Sequence, residues 1–517
     1  MSKGKEEVEK KLAGLEKRVL QGDPKAVQKQ HGEGKLTARE RIGKLLDPGS
    51  FAEEFMLAET QSTDFGMAEK RQPTDGVVTG YGKVDGRAVY VFAQDRTVLA
   101  GTVGSAHAEK IAYVIQTARK LGIPLVGLYD SVGARIQEGL SVTTAIGKIF
   151  FENSVSSGVI PQISAIMGPC IGVASYSPAL TDFVIMVQGS SQMFITGPPV
   201  IKEVLGEEVS MEELGGAKVH SEVSGVADLT TKNDEECLSL IRRLLDFLPS
   251  NFQSLPPRKE PSDDPGRSLD GIDRAVPEDM RKAYNVVQVI KMLVDEGDFL
   301  ELKGRFARNL VIGLGRLHGY PVGFVANQPM FLAGSLDVDA SDKGARFIRF
   351  CDAFNIPIIT LMDVPGFFPG KQQEEKGIIR HGAKLLYAYA EATVPKITVV
   401  LRKGYGGAKQ AMCTREMGAD QFFVWPGVEL AVMGGGGAVN VLFRREIEQS
   451  ADPEKTRREK MAEYAERFSG PFEALSKQFA HAVIRPQETR RRLIQALDLL
   501  RGKTEERPRK KHDVMPV

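Results

Sequence analysis

The sequence predicts an α/β protein built from two copies of one domain, and three observations lead to this prediction. Strand-like apolar runs alternate with helix-like segments over most of the chain, which is typical of βαβ units. Similar stretches recur in the same order about 233 residues apart. A segment rich in Pro, Ser, Asp and Gly, at 254–271, separates the two series and is typical of a linker.

The repeat involves glycine and aspartate positions as well as apolar ones. GYGKVDGRAV at 80–89 aligns with GLGRLHGYPV at 313–322, and at the same offset Asp130 falls on Asp363. Buried strands of α/β proteins resemble one another because they are rich in Val, Ile and Leu. That likeness does not explain matched glycines and aspartates, so we infer a duplication.

The most informative part of the repeat follows a long apolar strand in each half. PQISAIMGPCIGVA at 161–174 aligns with PKITVVLRKGYGGA at 395–408, so that GVA at 172–174 falls on GGA at 406–408. Each strand is followed by what looks like a helix start. The sequence therefore predicts a strand, a glycine-bearing turn and a helix at the same place in both domains.

The predicted domain boundaries follow from the repeat and the linker. The N-terminal domain covers 1–253 and begins with a charged helical arm of about 45 residues, which we expect to be solvated and to pack on a neighbour. After the linker at 254–271, the C-terminal domain covers 272–517 and ends in a basic tail, RPRKKHDVMPV.

Composition and charge exclude several classes of function. Lys and Arg number 68 against 67 Asp and Glu, and the formal net charge of +1 gives no reason to expect a nucleic acid partner. No apolar run approaches the ~20 residues of a membrane span, so we predict that the chain does not span a membrane. The four cysteines lie far apart, which predicts no metal site and, without a secretory signal, reduced thiols in the cytoplasm.

The glycine turns suggest chemistry performed by the backbone. N–H groups at the start of a helix have no intrahelical partner, and glycine lets the backbone approach a ligand closely. Each half is therefore predicted to present an oxyanion hole made of amides. The alternative is that these glycines only allow tight packing of helix on strand. No catalytic triad, metal-binding HExxH or nucleotide fingerprint is present, and Cys170 has no evident histidine partner as a nucleophile.

Several longer motifs resemble the carboxyltransferase subunits of biotin-dependent acyl-CoA carboxylases. The similarity extends over nearly the whole chain and includes the methylmalonyl-CoA decarboxylase α type as well as the propionyl-CoA carboxylase β type. The motifs are DSVGARIQEG at 130–139, GPCIGVASYSPALTDF at 168–183, DVPGFFPG at 363–370 and IIRHGAKLLYAYAEATVPKITVVLRKGYGGA at 378–408.

The resemblance implies two duplicated crotonase-like domains of the ββα superhelix type and a homo-hexamer arranged as a trimer of dimers. It also implies an active site between the N-terminal domain of one subunit, which would bind acyl-CoA, and the C-terminal domain of its partner, which would bind biotin. Biotin would arrive on a biotin carboxylase or biotin carboxyl carrier subunit. In agreement, the chain has no AMKM biotinylation motif and no domain left to bind ATP.

The resemblance further implies a mechanism without a catalytic side chain. Biotin would serve as the base that takes the α-proton of the acyl thioester, and the protein would stabilise the thioester enolate and the biotin enolate. The implied catalytic amides are those of Gly172 and Val173 for the thioester, Gly407 and Ala408 for biotin, and Gly133 and Ala134 for the transferred carboxylate.

The chain departs from the family pattern at positions that we predict to bind substrate. Valine is expected to resist a positive φ, so a valine in place of glycine is a departure with consequences for the backbone. Val132, Val173 and Ala100 stand where the resemblance implies glycine, Arg96 where it implies phenylalanine, Ala145 where it implies tyrosine, and Lys409–Gln410 where it implies tyrosine and a variable residue.

These departures predict an altered acyl pocket, with room gained at Ala145 and cationic character from Arg96 or Lys409. Such a pocket would suit a larger or carboxylate-bearing acyl group. Three alternatives stay open: a decarboxylase α subunit of a sodium-pumping complex, a biotin-independent acyl-CoA enzyme on the same scaffold, and a scaffold protein that binds acyl-CoA without turnover.

Overall fold

A computed structural model describes residues 3–261, 263–468 and 470–516. The chain divides into two compact units, residues 1–254 and residues 255–517, here called the N-terminal and C-terminal units. Each unit is a mixed α/β domain with one large sheet. The predicted fold class, an α/β protein of two repeated domains, is confirmed.

The N-terminal unit contains ten helices and eight strands within its described residues. They are α1 Lys3–Gln21, α2 Pro24–Gly32, α3 Ala38–Leu45, β1 Ala52–Glu54, β2 Val77–Val84, β3 Arg87–Gln94, α4 Ser105–Leu121, β4 Leu125–Ser131, α5 Leu140–Ser156, β5 Gln162–Ile171, α6 Tyr176–Ala179, β6 Phe183–Val187, β7 Gln192–Phe194, α7 Pro198–Leu205, α8 Met211–Gly215, α9 Ala217–Glu222, β8 Leu229–Thr231 and α10 Asp234–Phe247.

The C-terminal unit contains eleven helices and eight strands within the residues described for it. They are α11 Ile272–Ala275, α12 Val286–Leu293, β9 Phe299–Leu302, β10 Leu310–Leu317, β11 Tyr320–Asn327, α13 Val338–Ala353, β12 Ile358–Val364, α14 Lys371–Glu375, α15 Ile378–Glu391, β13 Lys396–Tyr405, α16 Gly406–Ala411, β14 Gln421–Val424, β15 Glu429–Ala431, α17 Gly435–Leu442, α18 Arg444–Glu448, α19 Pro453–Phe468, α20 Pro471–Ser476, β16 Ala482–Val483 and α21 Thr489–Leu500.

The two sheets have the same topology. In the N-terminal unit the strand order is β1-β2-β3-β4-β5-β6-β8, and in the C-terminal unit it is β16-β14-β13-β12-β11-β10-β9. The first hairpins, β2 with β3 and β10 with β11, are antiparallel, and the following strands pair in parallel. Strands β4 and β12 are buried along their whole length, because helices cover parallel sheets on both faces.

The repeat found in the sequence is also present in the positions of the helices and strands. Strands β2, β3 and β4 and helix α4 each begin 233 positions before β10, β11, β12 and α13, and β5 begins 234 positions before β13. A short left-handed turn also recurs, since Leu99–Gly101 and Leu332–Gly334 both have positive φ at all three residues. The backbone is therefore duplicated down to its strained turns.

The charged N-terminal arm differs from the expectation of a solvated segment. Helix α1 is largely exposed, but α3 is held by a capping box between Thr37 and Glu40 and buries its apolar face. Arg41 on α3 is completely buried and donates from Nε to Asp234 at 2.7 Å. The second half of the arm is thus an integral part of the N-terminal unit.

The segment predicted as a linker, 254–271, falls almost entirely within the C-terminal unit. The N–H of Lys259 donates to the carbonyl of Gly319 at 3.0 Å, and the guanidinium of Arg258 stacks on the ring of Tyr320. Leu269 is buried. These contacts order the segment against β10 and β11.

Candidate active site

Three loops lie side by side at the carboxyl ends of β3, β4 and β5. Val103 and Ala134 pair as in a short parallel ladder. A Cβ added to Gly133 would lie 2.9 Å from the carbonyl oxygen of Ile171, which immediately precedes Gly172. The ends of parallel strands are where α/β folds usually bind ligands. The structure therefore brings the predicted amides of Gly133, Ala134, Gly172 and Val173 to one edge of the sheet.

The turn after β5 depends on Gly172 and not on the residue that follows it. Gly172 has a φ of +69°, in the left-handed region, whereas Val173 has a φ outside that region. The expectation that Val173 would resist the required backbone conformation was wrong, because the chain turns one residue earlier. Val173 keeps its N–H at the start of the helical turn and packs its side chain against the hydrophobic core.

The loop after β4 offers fewer free amides than the sequence suggested. The N–H of Gly133 donates to the hydroxyl of Ser131 at 3.2 Å, and the carbonyl of Gly133 accepts from Val103. Val132 is exposed and has an ordinary φ. Of the two residues predicted to hold a carboxylate, Ala134 is the one whose N–H remains available among the described hydrogen bonds.

Arg135 braces this loop with a completely satisfied guanidinium. It donates to the carboxylates of Asp75 at 2.6 Å and Glu138 at 2.9 Å and to the carbonyl of Thr102 at 2.8 Å. The other oxygen of Glu138 accepts from the N–H of Ser105, at the start of α4, at 2.7 Å. Arg135 therefore holds three loops together. The sequence alone left two roles open for this side chain, substrate binding and bracing of the loop.

The remaining predicted substrate residues of the N-terminal unit occupy different environments. Ala100 is exposed in the left-handed turn with a φ of +54°. Arg96 is half-buried, with Nη1 3.8 Å from Glu33 and 4.0 Å from Asp130. Ala145 lies on α5 in the hydrophobic core, only 3% exposed. The room predicted at Ala145 is thus occupied by core packing.

A small apolar cavity lies under the loop of the N-terminal unit. Its lining includes Tyr129, Ile146, Phe150 and Ala174, and its volume of about 20 Å³ holds roughly one water molecule. Cys170 is completely buried nearby, and burial raises the pKa of its thiol to about 12. A thiol in this state is not a nucleophile at neutral pH, so the loop presents backbone amides and no reactive side chain.

The C-terminal unit repeats the turn with more open surroundings. Gly406 has a φ of +57°, while Gly407 has a φ outside the left-handed region, and a Cβ added to Gly407 would meet no atom within 4 Å. Gly407 and Ala408 lie in the first turn of α16, where their N–H groups have no intrahelical partner. The space beside the Cα of Gly407 is therefore open.

Lys409 and Gln410 follow directly and line a cavity of about 520 Å³ within the C-terminal unit. Both side chains are half-buried. Gln410 accepts a hydrogen bond from the hydroxyl of Thr414 at 2.5 Å. A cavity of this size lies within the range of small-molecule sites.

A buried carboxylate stands behind the loops of each unit. Asp130 lies 2.7 Å from the ammonium of Lys35 and accepts from Arg41 at 3.0 Å, and all three side chains are at most 4% exposed. Asp363 accepts from Nε of Arg402 at 2.8 Å. Sequence reasoning missed Lys35 and Arg41, because nothing local in a charged arm shows that two of its cations are buried.

The described residues contain no group of three or more His, Cys, Asp or Glu side chains arranged to hold a metal ion. They also contain no helix long and apolar enough to cross a membrane.

Known proteins of one family are similar to this chain over nearly its whole length. The carboxyl transferase domain matches residues 29–515. The propionyl-CoA carboxylase carboxyltransferase subunit of Haloferax mediterranei is 53% identical over 496 residues, which cover 96% of this chain and 96% of that protein. The methylmalonyl-CoA decarboxylase subunit alpha of Propionigenium modestum is 49% identical over 512 residues, which cover 98% and 99%.

A solved structure is similar over nearly the same span. The crystal structure of transcarboxylase 12S, described as a hexamer assembly with methylmalonyl-coenzyme A and methylmalonic acid bound, superposes with a TM-score of 0.96 at 48% identity. The match covers 98% of each chain.

Proposed function

The chain belongs to the carboxyl transferase family, and on that premise we propose that it moves a carboxyl group between biotin on a partner protein and the α-carbon of an acyl-CoA. The resemblance to propionyl-CoA carboxylase β and methylmalonyl-CoA decarboxylase α subunits is confirmed, and the chain is a carboxyltransferase enzyme. The four cysteines, all reduced and buried, are compatible with the cytoplasm, where we place the reaction.

The observation that carries this proposal is the pair of equivalent amide turns. Each unit ends its longest strand at a glycine with positive φ, Gly172 or Gly406, and continues into a helical turn. Amides fixed in such a turn stabilise a developing oxyanion without reorganising, which is worth several kcal/mol in a water-excluded site. A reaction with one enolate on each partner needs two such holes, and the chain provides two.

Gly172 and Val173 are the amides we assign to the thioester oxygen. The left-handed turn at Gly172 aims the following N–H groups away from the strand, and the Val173 side chain packs behind them against the core. Ala134 offers a further N–H for the carboxylate. During transfer the substrate loses its α-proton and gains a carboxyl group at the same carbon, and the donor receives the proton in exchange.

The residues of the C-terminal unit fit a bound biotin ring. The open space at Gly407 would accept a ring against the backbone, and the amides of Gly407 and Ala408 would hold its ureido oxygen. When bound, biotin supplies the carboxyl group and the base. Because biotin supplies the base, no acidic or basic side chain is needed at the turns. The chain's own contribution is to hold both partners and to exclude water.

The hexamer described for transcarboxylase 12S supports a homo-hexamer for this chain as well. We propose that the thioester amides of one subunit act with the biotin amides of its dimer partner. We also propose a biotin carboxylase with its carrier domain as the partner that supplies biotin.

The test is transfer of the carboxyl group from free carboxybiotin to a panel of acyl-CoAs by the full-length protein. Transfer to any of them establishes the reaction, and the relative kcat/KM values identify the substrate. If no acyl-CoA is carboxylated while each still binds, the chain is a binding scaffold and the proposal fails.

The similarity to a methylmalonyl-CoA decarboxylase subunit favours a second candidate, decarboxylation in the reverse direction. The same two holes would serve it, because an enolate forms in either direction. The identity of the partner subunit distinguishes the two directions. A native complex that contains a biotin carboxylase supports carboxylation, and one that contains a multi-span membrane subunit supports decarboxylation.

A further inference from the structure

A buried histidine in the N-terminal unit joins several segments that surround the thioester amides. His107 lies in the first turn of α4 and is completely buried. Its Nδ1 lies 3.0 Å from the carbonyl oxygen of Asp75, and its Nε2 lies 3.3 Å from the side-chain nitrogen of Gln94, at the end of β3. The side-chain oxygen of Gln94 accepts from the N–H of Asp130, near the end of β4, at 3.2 Å. The ring therefore connects the loop before β2 with the ends of two neighbouring strands.

These partners fix the tautomer of His107. A carbonyl oxygen can only accept, so Nδ1 carries the proton that is donated to Asp75, and Nε2 accepts from the amide of Gln94. Burial lowers the pKa of His107 to about 3, which keeps the ring neutral, with one donor and one acceptor. Both ring nitrogens are thus satisfied inside the protein, as expected for a buried polar side chain that serves as a connector.

The histidine also holds a strained turn. Thr74 and Asp75 have φ values of +73° and +47°, a left-handed conformation that is uncommon for residues with a side chain. The carboxylate of Asp75 accepts from the N–H of His107 at 3.0 Å and from the guanidinium of Arg135 at 2.6 Å. A strained backbone of this kind persists only where its surroundings fix it. His107 binds Asp75 at two points and is therefore one of the groups that fix the turn.

Asp75 in turn holds the loop that carries the N–H of Ala134. Its carboxylate pairs with Arg135, and both side chains are at most 2% exposed. Arg135 follows Ala134 directly, and its own N–H donates to the carbonyl of Val103 at 2.8 Å. A displacement of Asp75 would therefore be passed to Arg135 and from there to the adjoining amide of Ala134.

The C-terminal unit has a different pair of residues at the equivalent positions. Asn327 ends β11 as Gln94 ends β3, and Ala340 stands 233 positions after His107. Alanine has no polar side-chain atom, so the amide of Asn327 has no histidine to bind at this point. The two units therefore differ in both members of the pair at once.

Asn327 makes a shorter connection than Gln94. Its Oδ1 accepts from the N–H of Asp363 at 3.1 Å, and its Nδ2 donates to the carbonyl of Gly334, in the left-handed turn after the same strand, at 3.1 Å. The position equivalent to Arg135 is held by Phe368, which has no charge with which to brace a loop. The histidine connection thus accompanies the ionic brace of the N-terminal unit.

We propose that His107 and Gln94 are positioning residues for carboxyl transfer, which hold the N–H of Ala134 where the transferred carboxylate binds. This proposal rests on the proposed function, since it adds two residues to the same site. Neither side chain touches the substrate. They act through Asp75 and Arg135.

The test measures carboxyl transfer from free carboxybiotin by two variants of the full-length assembled protein. His107→Ala leaves the amide of Gln94 and the carbonyl of Asp75 without a partner. We expect kcat to fall about tenfold or more and KM for the acyl-CoA to change less than about twofold, because misplacement of a positioning group acts on the transition state. The double variant Gln94→Asn/His107→Ala reproduces the pair of the C-terminal unit, and its kcat should exceed that of His107→Ala by about threefold or more.

Ile115→Ala is the matched control. Ile115 is buried on the same helix and takes part in none of these hydrogen bonds. The control should lower the unfolding midpoint but leave kcat within about twofold of the native value. An equal loss of kcat in the control and in His107→Ala, or no recovery in the double variant, would overturn the proposal. If His107→Ala does not assemble, His107→Asn takes its place with the same expected fall in kcat.

Hydrogen exchange of residues 131–139 distinguishes failure of this proposal from failure of the proposed function. We expect this loop to exchange faster in His107→Ala than in the native protein or in Ile115→Ala, and more slowly again in the double variant. Native exchange rates in His107→Ala contradict the proposal even where the native protein transfers the carboxyl group. If the native protein transfers it to no acyl-CoA, the proposed function fails, and the exchange rates alone decide whether His107 positions the loop.

Discussion

The buried carboxylate of Asp130, in the N-terminal unit, receives its cations from Lys35 and Arg41 in the arm. Its counterpart in the C-terminal unit, Asp363, receives its cations from Arg402 and Lys403 on the neighbouring strand. The position equivalent to Arg402 is Gly168. A Cβ added to Gly168 would lie 1.9 Å from Oδ1 of Asp130 and 2.8 Å from Nζ of Lys35.

This difference shows how duplicated domains keep a buried charge while exchanging the residue that neutralises it. Arg402 also donates to three backbone carbonyls, those of Pro277, Asp279 and Lys282, and stacks on the ring of Tyr284, so it joins the segment before α12 to the sheet as well. In the N-terminal unit the glycine makes room for side chains from a distant segment. The carboxylate, and the loop of Gly133 that begins three residues later, therefore depend on the docking of α3.

The largest effect is expected when a cation that neutralises one of the two buried carboxylates is removed. Arg41→Met leaves Asp234 without its guanidinium and Asp130 with Lys35 alone, and removing one partner of a buried ion pair costs about 3–5 kcal/mol. Hydrogen exchange should show lost protection in β4 and β5, with β12 and β13 as the internal reference. Arg402→Met should reverse that pattern. Equal loss in both units for both variants would show that the two charges do not act separately.

A smaller effect is expected from filling the space at Gly168. Gly168→Ala forces a methyl group against Asp130 and Lys35, and overpacking of this kind costs about 1–3 kcal/mol. Thermal unfolding should show a lower midpoint. Gly147→Ala on α5 is the control, because a Cβ there meets no atom within 4 Å and alanine favours the helix. A midpoint that is unchanged by Gly168→Ala would contradict the packing argument.

The two amide turns differ in their second residue, which is Val173 in the N-terminal unit and Gly407 in the C-terminal unit. Exchanging these residues tests what each contributes. Val173→Gly should change the rate of carboxyl transfer less than about threefold, since the N–H is kept. Gly407→Val should leave stability unchanged, because its Cβ position is open, but lower the rate about tenfold by filling the space assigned to biotin. The measurements are steady-state rates and unfolding midpoints. A loss of stability in Gly407→Val would show that the open space is needed by the fold.

The last comparison concerns two equivalent buried lysines. Burial lowers the pKa of Lys110 to about 8 and that of Lys343 to about 7. Unfolding restores ordinary lysines that bind more protons above these values, so stability should rise with pH from about 7 towards 10.5 for Lys343 and from about 8 for Lys110. Urea unfolding at several pH values checks this. Lys343→Met should remove the part of the rise that begins near pH 7.

The sequence was sufficient to predict the fold because the duplication preserves backbone requirements. Glycines, an aspartate and turn residues recur at one offset, and these are the positions at which strand ends and turns leave little choice. The edge of the sheet at Gly133 and Gly172 follows from the same pattern, since the carboxyl ends of neighbouring parallel strands lie together.

The parts that could not be predicted depend on contacts distant in the chain. Arg41 meets Asp234 across 193 positions, and no local periodicity indicates such a pair. A valine in place of an expected glycine predicts a strained backbone at Val173, and only the structure shows that Gly172 makes the turn. Ala145 predicts empty space where the resemblance implies a tyrosine. In the structure, neighbouring core side chains fill the space that the shorter side chain leaves.

The distance between partners in each buried charge pair also sets an order of events during synthesis. Asp363 and Arg402 are 39 positions apart, so the C-terminal pair can close soon after Arg402 leaves the ribosome. Arg41 leaves early but must await Asp234, 193 positions later, a delay of roughly 10–40 s at 5–20 residues per second. Asp130, 89 positions after Arg41, is made earlier, so the arm gains its first buried anion before its second and completes both pairs only when most of the N-terminal unit has been synthesised.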